Sequence, residues 1–179
     1  GYRGVLIQHL GDLIDERVQQ QFGQTWTLLH QIYQFSSEAI ACDMHPAYVS
    51  TRFAQQQAQE LNVECLPIQH HHAHLVACMV EHGIPLDTPP LIGLALDGIG
   101  FGADNTLWGG ECLRMDYRQM QRLGGLPAVA LAGGDLAARQ PWRNLLAQLL
   151  RFVPNWQNYP EAKFILSHPW QVLQRAIER

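Results

Sequence analysis

The sequence predicts an α/β fold. Short apolar runs typical of strands alternate with helix-like segments between residues 38 and 97, in the order strand, helix, strand, helix, strand. This order is typical of βαβ units, whose strands pair mostly in parallel. Two more strand-like runs follow at 107–117 and 120–131, and the chain ends in helical segments. We therefore expect a mixed, largely parallel sheet with helices packed on it.

Five short elements are predicted before the cluster of histidines. Apolar spacing defines the first helix, and a proline at a first helical position starts the second. In chain order they are a strand at 5–8, a helix at 25–35, a strand at 39–43, a helix from Pro46 to Asn62 and a strand at 65–68.

The elements after the histidines begin with an apolar strand at 91–96, which leads directly into Asp97. The strand-like runs at 107–117 and 120–131 have alternating apolar residues and predict a hairpin or strand pair. A Gly133-Gly134 turn then leads into a helix that starts near Asp135 and ends before Pro154. We expect a last amphipathic helix over residues 169–179.

Four of the nine histidines lie within residues 70–74, at the start of a predicted helix that Gly83 ends. Residues four apart lie above one another on a helix, so His70 and His74 can direct their rings at one ion. His71, three residues before His74, is the alternative ligand. His72 falls in the apolar stripe and is interpreted as a packed histidine.

Asp97 distinguishes a metal site from a solvated run of histidines. It follows a strand of the buried type, and open α/β sheets bind ligands at the carboxyl ends of their strands. Two imidazoles and a carboxylate suit zinc, iron(II) or manganese. The adjacent Gly98, Gly100 and Gly102 predict a loop with positive φ angles, whose backbone N–H groups would hold phosphate or carboxylate oxygens. No helix follows this run, which argues against a Rossmann loop or a P-loop.

Composition limits the class of protein. The chain has 179 residues, 47% of them hydrophobic, which is enough for the core of one domain. The net charge of −4 gives no basic surface for nucleic acid. A signal peptide and a long apolar run are both missing, so no membrane association is expected. The four cysteines form no C-x-x-C pair, which favours reduced thiols in the cytoplasm.

Several motifs together resemble one known family. They are Gly11-Asp12-Leu13, His45-Pro46, the His70-x-x-x-His74 helix, the strand followed by Asp97-Gly-x-Gly-x-Gly, Trp108-Gly-Gly-Glu111, and Gly-Gly-Asp-x-Ala-x-Arg-x-Pro-Trp-Arg over residues 133–143. The chain is similar to the HypF family of carbamoyltransferases, which mature nickel-iron hydrogenases. The matching part is the carbamoyl-transfer domain, a relative of the tRNA threonylcarbamoyl-transferases. The resemblance implies part of a two-lobed, actin/sugar-kinase-like fold.

The resemblance also implies roles for residues. Gly133, Gly134 and Asp135 would line an adenylate pocket, although the sequence alone favours a helix cap as the role of Asp135. Arg139 and Arg143 would hold phosphate or carbamate oxygens in a catalytic role beside Asp97, or else belong to a solvated helix face. The expected cofactor is a divalent metal on His70, His74 and Asp97, with zinc or iron preferred to magnesium.

The activity implied by the resemblance is carbamoyl transfer. ATP and carbamoyl phosphate form a carbamoyl-adenylate, and the carbamoyl group passes to the C-terminal cysteine of a hydrogenase maturation partner, where it becomes cyanide. Residues 1–179 would be a partial domain, mostly its first lobe and the start of the second, without the family's other modules and inactive in isolation. Two alternatives stay open: a metal-dependent hydrolase with Glu81 as the base, and a non-catalytic module that binds metal and nucleotide.

Overall fold

The computed structural model describes residues 4–178, apart from the side chain of Asp135, and the chain forms two compact units. The first unit ends at Gly124 and the second begins at Gly125. The elements of the first are α1 (Glu16–Tyr33), β1 (Ala39–Asp43), α2 (Val49–Leu61), β2 (Glu64–Ile68), α3 (His70–Glu81), β3 (Leu91–Phe101), β4 (Leu107–Met115) and β5 (Met120–Gly125).

A parallel strand pair and its crossover helix precede the histidines. β1 and β2 pair in parallel from Ala39 opposite Glu64 to Asp43 opposite Ile68. Ile40 of β1 and Ala54 and Ala58 of α2 form a small apolar core there. Because the crossover helix returns the chain to the same end of the strands, the carboxyl ends of β1 and β2 lie side by side, immediately before α3.

β3, β4 and β5 form a second sheet, in that order. The predicted α/β class is confirmed, because helices and strands both form the fold. Parallel pairing in the described residues is confined to β1 and β2, since β3 pairs with β4 in an antiparallel manner. The register shifts between Leu96 and Gly100, which is a bulge next to Asp97. α3 packs on this sheet around Met79, Trp108, Leu113 and Met115.

Some local predictions for the first unit were wrong. Residues 4–10 form no strand where one was expected at 5–8. α1 begins at Glu16, earlier than expected, because the Asp15 side chain caps it by accepting the N–H of Arg17 at 2.9 Å. α2 begins at Val49, so Pro46 lies in the preceding loop and not at a first helical position.

The second unit is helical, with α4 (Asp135–Arg139), α5 (Trp142–Phe152), α6 (Lys163–Leu166) and α7 (Trp170–Ile177). The single helix expected from Asp135 to Pro154 is divided at Pro141, which lacks an N–H and clashes with the preceding turn of a helix. β5 likewise ends at Gly125, before the expected 131. Trp142, Leu146, Trp156, Ala162, Ile165 and Leu173 form the core. Among the described residues, no helix is both long and apolar enough to cross a membrane.

Candidate metal centre

α3 begins at the residue that brings its histidines together. The side chain of Gln69 caps the helix by accepting the N–H of His72 at 2.8 Å, so the first helical residue is His70. His70 and His74 are then one turn apart on the same face, as the sequence predicts. Their Nε2 atoms lie 3.1 Å from each other.

Asp97 of β3 completes the group. Its Oδ2 lies 3.2 Å from Nε2 of His70. One ligand atom from each of His70, His74 and Asp97 falls within 4.8 Å of the others, the only such group of three found in the part of the chain that the structure describes. The structure thus brings together all three residues that the sequence nominates as metal ligands.

The donor set fits a divalent cation. Oδ2 of Asp43 lies 2.7 Å from Nδ1 of His70, which assigns the ring proton to Nδ1 and leaves a lone pair on Nε2. That lone pair faces a second imidazole and a carboxylate. Both oxygens of Asp97 are buried without a hydrogen-bond donor in the described residues. Electron-rich atoms placed this closely repel one another, and a cation between them removes that repulsion.

Asp43 is a residue of the candidate centre that sequence reasoning missed. It holds His70 in the tautomer that a metal ligand needs, an arrangement found behind most metal-bound histidines. A signal for it was present, because Asp43 ends a parallel strand, just as Asp97 follows a strand of buried type. Asp43 is anchored in turn by the backbone N–H of His45, which donates to Oδ1 at 2.7 Å.

His71, the alternative ligand, supports Asp97 from within the core. Its side chain is 0% exposed, and its Nε2 lies 2.7 Å from Oδ1 of Asp97, although the ring is not oriented to donate a hydrogen bond to it. The Gln69 amide donates to His71 Nδ1 at 3.0 Å, which places the proton of His71 on Nε2. His72 is half-buried, and its Nε2 lies 2.7 Å from the carbonyl oxygen of Asp116, in agreement with its predicted packing role.

The glycines after Asp97 do not form the expected loop of positive φ angles. β3 continues through Gly98 and Gly100 to Phe101, and none of Gly98, Gly100 and Gly102 has a positive φ angle. A Cβ at Gly100 would collide with the ring of His71, and one at Gly102 would collide with Trp108. Two of the three glycines therefore serve close packing. Only at Gly98 is the space beside the backbone open.

A buried ion pair holds the strands behind the site. The Glu111 side chain is 1% exposed and accepts two hydrogen bonds from Arg122, at 2.6 and 3.2 Å. The Arg122 guanidinium lies 4.5 Å from the ring centre of Trp108. Trp108 in turn stacks 6.2 Å from the ring centre of His71 and donates from Nε1 to Asp104 at 2.9 Å. The Thr106 hydroxyl and then that Trp108 N–H help to lower the pKa of the Asp104 carboxyl.

The residues predicted for the adenylate lie in the second unit. Gly133 and Gly134 have φ angles of +96° and +54° and form a turn before α4, while the side chain of Asp135 lies outside the described residues. Arg143 braces this turn: its Nε donates to Gln140 at 2.7 Å and its Nη1 to the Ala132 carbonyl at 3.4 Å.

Arg139, the other predicted oxyanion ligand, is exposed at the end of α4. Arg143 already donates hydrogen bonds to Gln140 and Ala132 within its own unit. The two arginines, which were expected to act as a pair, therefore have different surroundings. Whether either contacts a nucleotide stays a prediction.

A cavity of about 430 Å³ opens beside the candidate ligands in the first unit. It is lined by Ala41, Cys42, Asp43, Ile68, His70, Ala73 and His74. Burial, together with the neighbouring Cys65 thiol at 3.6 Å, raises the pKa of the Cys42 thiol to about 11. Cys42 therefore stays protonated near neutral pH. Partial burial, and then the charges of Asp43 and Asp97, also raise the pKa of Tyr48.

The fold defines an α/β domain that carries a candidate metal centre, and comparison with known proteins gives its family. The model described as "HypF Kae1-like domain" matches residues 1–81, and that described as "Carbamoyltransferase, Kae1-like Domain, second subdomain" matches residues 93–179. The chain belongs to the HypF carbamoyltransferase family, within its Kae1-like domain.

Relatives and solved structures agree with this assignment. The chain is 40% identical over 149 residues to carbamoyltransferase HypF2 of Cupriavidus necator, covering 83% of this chain and 18% of that protein. It is 37% identical over 147 residues to carbamoyltransferase HypF of Rhodobacter capsulatus, covering 82% and 20%. The crystal structure of full-length HypF in the phosphate- and nucleotide-bound form superposes with a TM-score of 0.76 at 30% identity, over 96% of this chain and 22% of that one. The chain thus spans about a fifth of the length of these relatives.

Proposed function

We propose that this chain is the metal-binding part of a carbamoyl-transfer site that acts in hydrogenase maturation. The observation that carries the proposal is the buried Asp97 carboxylate, which faces His70 and His74 without a hydrogen-bond donor. The proposed donor is a carbamoyl-adenylate made from carbamoyl phosphate and ATP. The proposed acceptor is the C-terminal cysteine thiol of a maturation partner.

The residues of the chain would act by holding and orienting. His70, His74 and Asp97 would bind a divalent ion, with zinc or iron favoured by two imidazoles and one carboxylate. Such an ion supplies Lewis-acid polarisation and a template for substrate oxygens. Asp43 keeps Nε2 of His70 available as a ligand, and the buried ring of His71 packs against Asp97, with its Nε2 2.7 Å from Oδ1.

In the proposed transfer, the thiolate sulfur forms a bond to the carbamoyl carbon. The bond between that carbon and the adenylate phosphate oxygen breaks, and AMP leaves. The chain itself supplies no activated thiol at the cavity, because the raised pKa of Cys42 keeps that group protonated. This supports an acceptor thiol from a partner. Gly133, Gly134, Asp135, Arg139 and Arg143 remain the residues proposed for the adenylate.

The hydrolase alternative loses its candidate base. Glu81 is the last residue of α3, seven residues after His74 and eleven after His70, which corresponds to roughly 10 and 16 Å along a helix axis. A general base must reach its proton directly or through one water. Glu81 at these distances cannot serve the His70/His74 position, so carbamoyl transfer is the function that we carry forward.

A hybrid enzyme tests the proposal. The corresponding segment of HypF2 from Cupriavidus necator would be replaced by this chain, and the hybrid incubated with carbamoyl phosphate, ATP and a thiol peptide. We expect mass spectrometry to detect carbamoylated cysteine, and we expect the hybrid with His74→Ala to give only the enzyme-free background. The hybrid with His72→Ala is the matched control and should retain transfer. A hybrid that folds and binds metal but never modifies the peptide would contradict the proposal.

A further inference from the structure

The loop between β1 and α2 is held rigidly against the candidate metal centre. Oδ1 of Asp43 accepts the N–H of His45 at 2.7 Å, and the carbonyl of His45 accepts the N–H of Tyr48 at 3.2 Å. The buried Thr51 hydroxyl donates to the Asp43 carbonyl at 3.0 Å. These bonds tie the loop to the residue that orients His70, so its side chains keep a fixed position beside the site.

Two aromatic side chains of this loop form a stacked pair. The rings of His45 and Tyr48 are 4.2 Å apart and 9° from parallel, and the edge of Phe101 from β3 lies 5.2 Å from His45. The N–H of Ala47 donates to His45 Nδ1 at 3.2 Å, so the proton of that ring is on Nε2. The described residues offer no acceptor to His45 Nε2–H or to the Tyr48 hydroxyl. The pair therefore presents two oriented donors.

The charges around these donors select the kind of group that fits. After partial burial, the negative charges of Asp43 and Asp97 are the next causes that raise the pKa of the Tyr48 phenol. A divalent ion on the three ligands would be balanced by these two carboxylates, so the centre has no surplus positive charge for a further anion. A neutral amide fits better, since its carbonyl accepts from the donors while its NH₂ group donates to carboxylate oxygens.

We propose that His45 and Tyr48 form a subsite for the carbamoyl group, with their Nε2–H and O–H donating to its carbonyl oxygen and the NH₂ group turned towards the carboxylate of Asp43, which lines the cavity. This inference rests on the proposed function and adds to it a determinant of substrate specificity, because the site recognises the amide end of the substrate. Phosphate oxygens, which lack an N–H, gain nothing from the carboxylates.

Binding of a stable probe to the zinc-loaded chain tests this subsite. Phosphonoacetamide has both the amide and a phosphonate, whereas inorganic phosphate has only the anionic part, and ³¹P NMR titration gives both dissociation constants. Tyr48→Phe and His45→Phe keep an aromatic ring in the stack and remove one donor each, but His45→Phe also removes the Nδ1 acceptor of the Ala47 N–H, so Tyr48→Phe is the decisive variant. We expect each to weaken phosphonoacetamide binding about tenfold, the usual effect of losing one hydrogen bond, and to leave phosphate and zinc binding unchanged.

Tyr33→Phe is the matched control, since Tyr33 lies exposed at the end of α1 in the same unit. It should change none of the three constants. Equal affinity of the unmodified chain for phosphonoacetamide and phosphate would overturn the subsite, and so would a loss below twofold in Tyr48→Phe. An equal loss of zinc affinity would overturn it too, because the pair would then only support the fold.

The failure of the subsite and that of the proposed function are distinguishable. An active hybrid together with unchanged probe binding in Tyr48→Phe removes the subsite and leaves carbamoyl transfer standing. An inactive hybrid together with a tenfold loss leaves an amide-binding site that does not catalyse transfer.

Discussion

The buried Glu111–Arg122 pair makes a quantitative prediction about the sheet that carries Asp97. Its partners differ sharply in exposure: the Glu111 side chain is 1% exposed and the Arg122 side chain 37%. Arg122→Met therefore leaves a carboxylate in the core with no counter-charge, whereas Glu111→Gln leaves a guanidinium that water can reach. The two substitutions should consequently have very different effects on the free energy of unfolding.

The magnitudes follow from the contacts. Removal of one partner from a buried ion pair costs roughly 3–5 kcal/mol, and Arg122→Met also loses the stacking on Trp108, worth about 0.5–1 kcal/mol. The lower ends of these ranges, about 3.5 kcal/mol together, apply because the Arg122 side chain is 37% exposed. The Met side chain covers part of the Trp108 face that Arg122 leaves and recovers about 0.5 kcal/mol, so we expect a total near 3 kcal/mol. Glu111→Gln keeps one acceptor for Arg122 and should cost about 1 kcal/mol. The difference of about 2 kcal/mol corresponds to roughly 30-fold in an opening equilibrium.

Native-state hydrogen exchange with mass spectrometry measures this difference separately for each unit of the chain, because exchange rates are obtained peptide by peptide. Peptides from β4 should exchange roughly 30-fold faster in Arg122→Met than in Glu111→Gln, while peptides from α5 in the second unit should be unaffected. Arg122→Lys retains the charge without the two-point contact and should fall between them. If Glu111→Gln proved as damaging as Arg122→Met, desolvation of the carboxylate would not be the dominant cost.

Two further predictions concern the metal centre itself. His74→Ala should abolish divalent-metal binding in isothermal titration calorimetry. His72→Ala should retain metal binding but lose on the order of 1–3 kcal/mol of stability, because its side chain is packed. Loss of metal binding in His72→Ala and its retention in His74→Ala would mean that the ligands are misassigned. Asp97→Asn should lower the affinity for divalent metal while the circular dichroism spectrum stays unchanged. Asp43→Asn should lower that affinity about 10–100-fold, because the carboxylate that keeps the ring proton of His70 on Nδ1 is lost. Unchanged affinity in Asp97→Asn would make Asp97 a structural residue.

The proximity of His70, His74 and Asp97 was predictable because each part of it depends on local information. The spacing of His70 and His74 is a property of one helix, and the Gln69 cap fixes where that helix starts. The position of Asp97 after an apolar strand is also visible within a few residues. Such short-range patterns survive folding unchanged, since a helix presents residues four apart on one face whatever else surrounds it.

The residues that support the ligands were not predictable in the same way. Asp43 meets His70 across 27 positions of sequence, and that contact exists only because β1 and β2 are neighbours and α3 begins directly after β2. His71 was considered only as an alternative ligand, by its spacing from His74 on the same helix, although the approach of β3 at Gly100 buries it. Strand pairing is a long-range property, and a helical projection contains no information about it.

The split of the helix at Pro141 is a different kind of failure, since the cause was present in the sequence. The apolar spacing continues from α4 into α5, and this continuity suggested one helix. A proline in the interior of a helix removes a backbone donor and costs about 3 kcal/mol, and the spacing of apolar residues contains no information about that cost. Local backbone chemistry should therefore be given priority over periodicity wherever the two conflict.

The histidine and glycine block is dense because a metal centre on this fold needs both kinds of residue at close range. The carboxylate of β3 can reach the face of α3 that carries His70 only if helix and strand approach closely. Gly100 permits that approach by leaving room for the His71 ring, and Gly102 does the same for Trp108. These glycines therefore bring helix and strand close together without themselves being candidate ligands. A substitution such as Gly100→Ala would move the strand away from the helix and separate Asp97 from His70, even with every ligand in place.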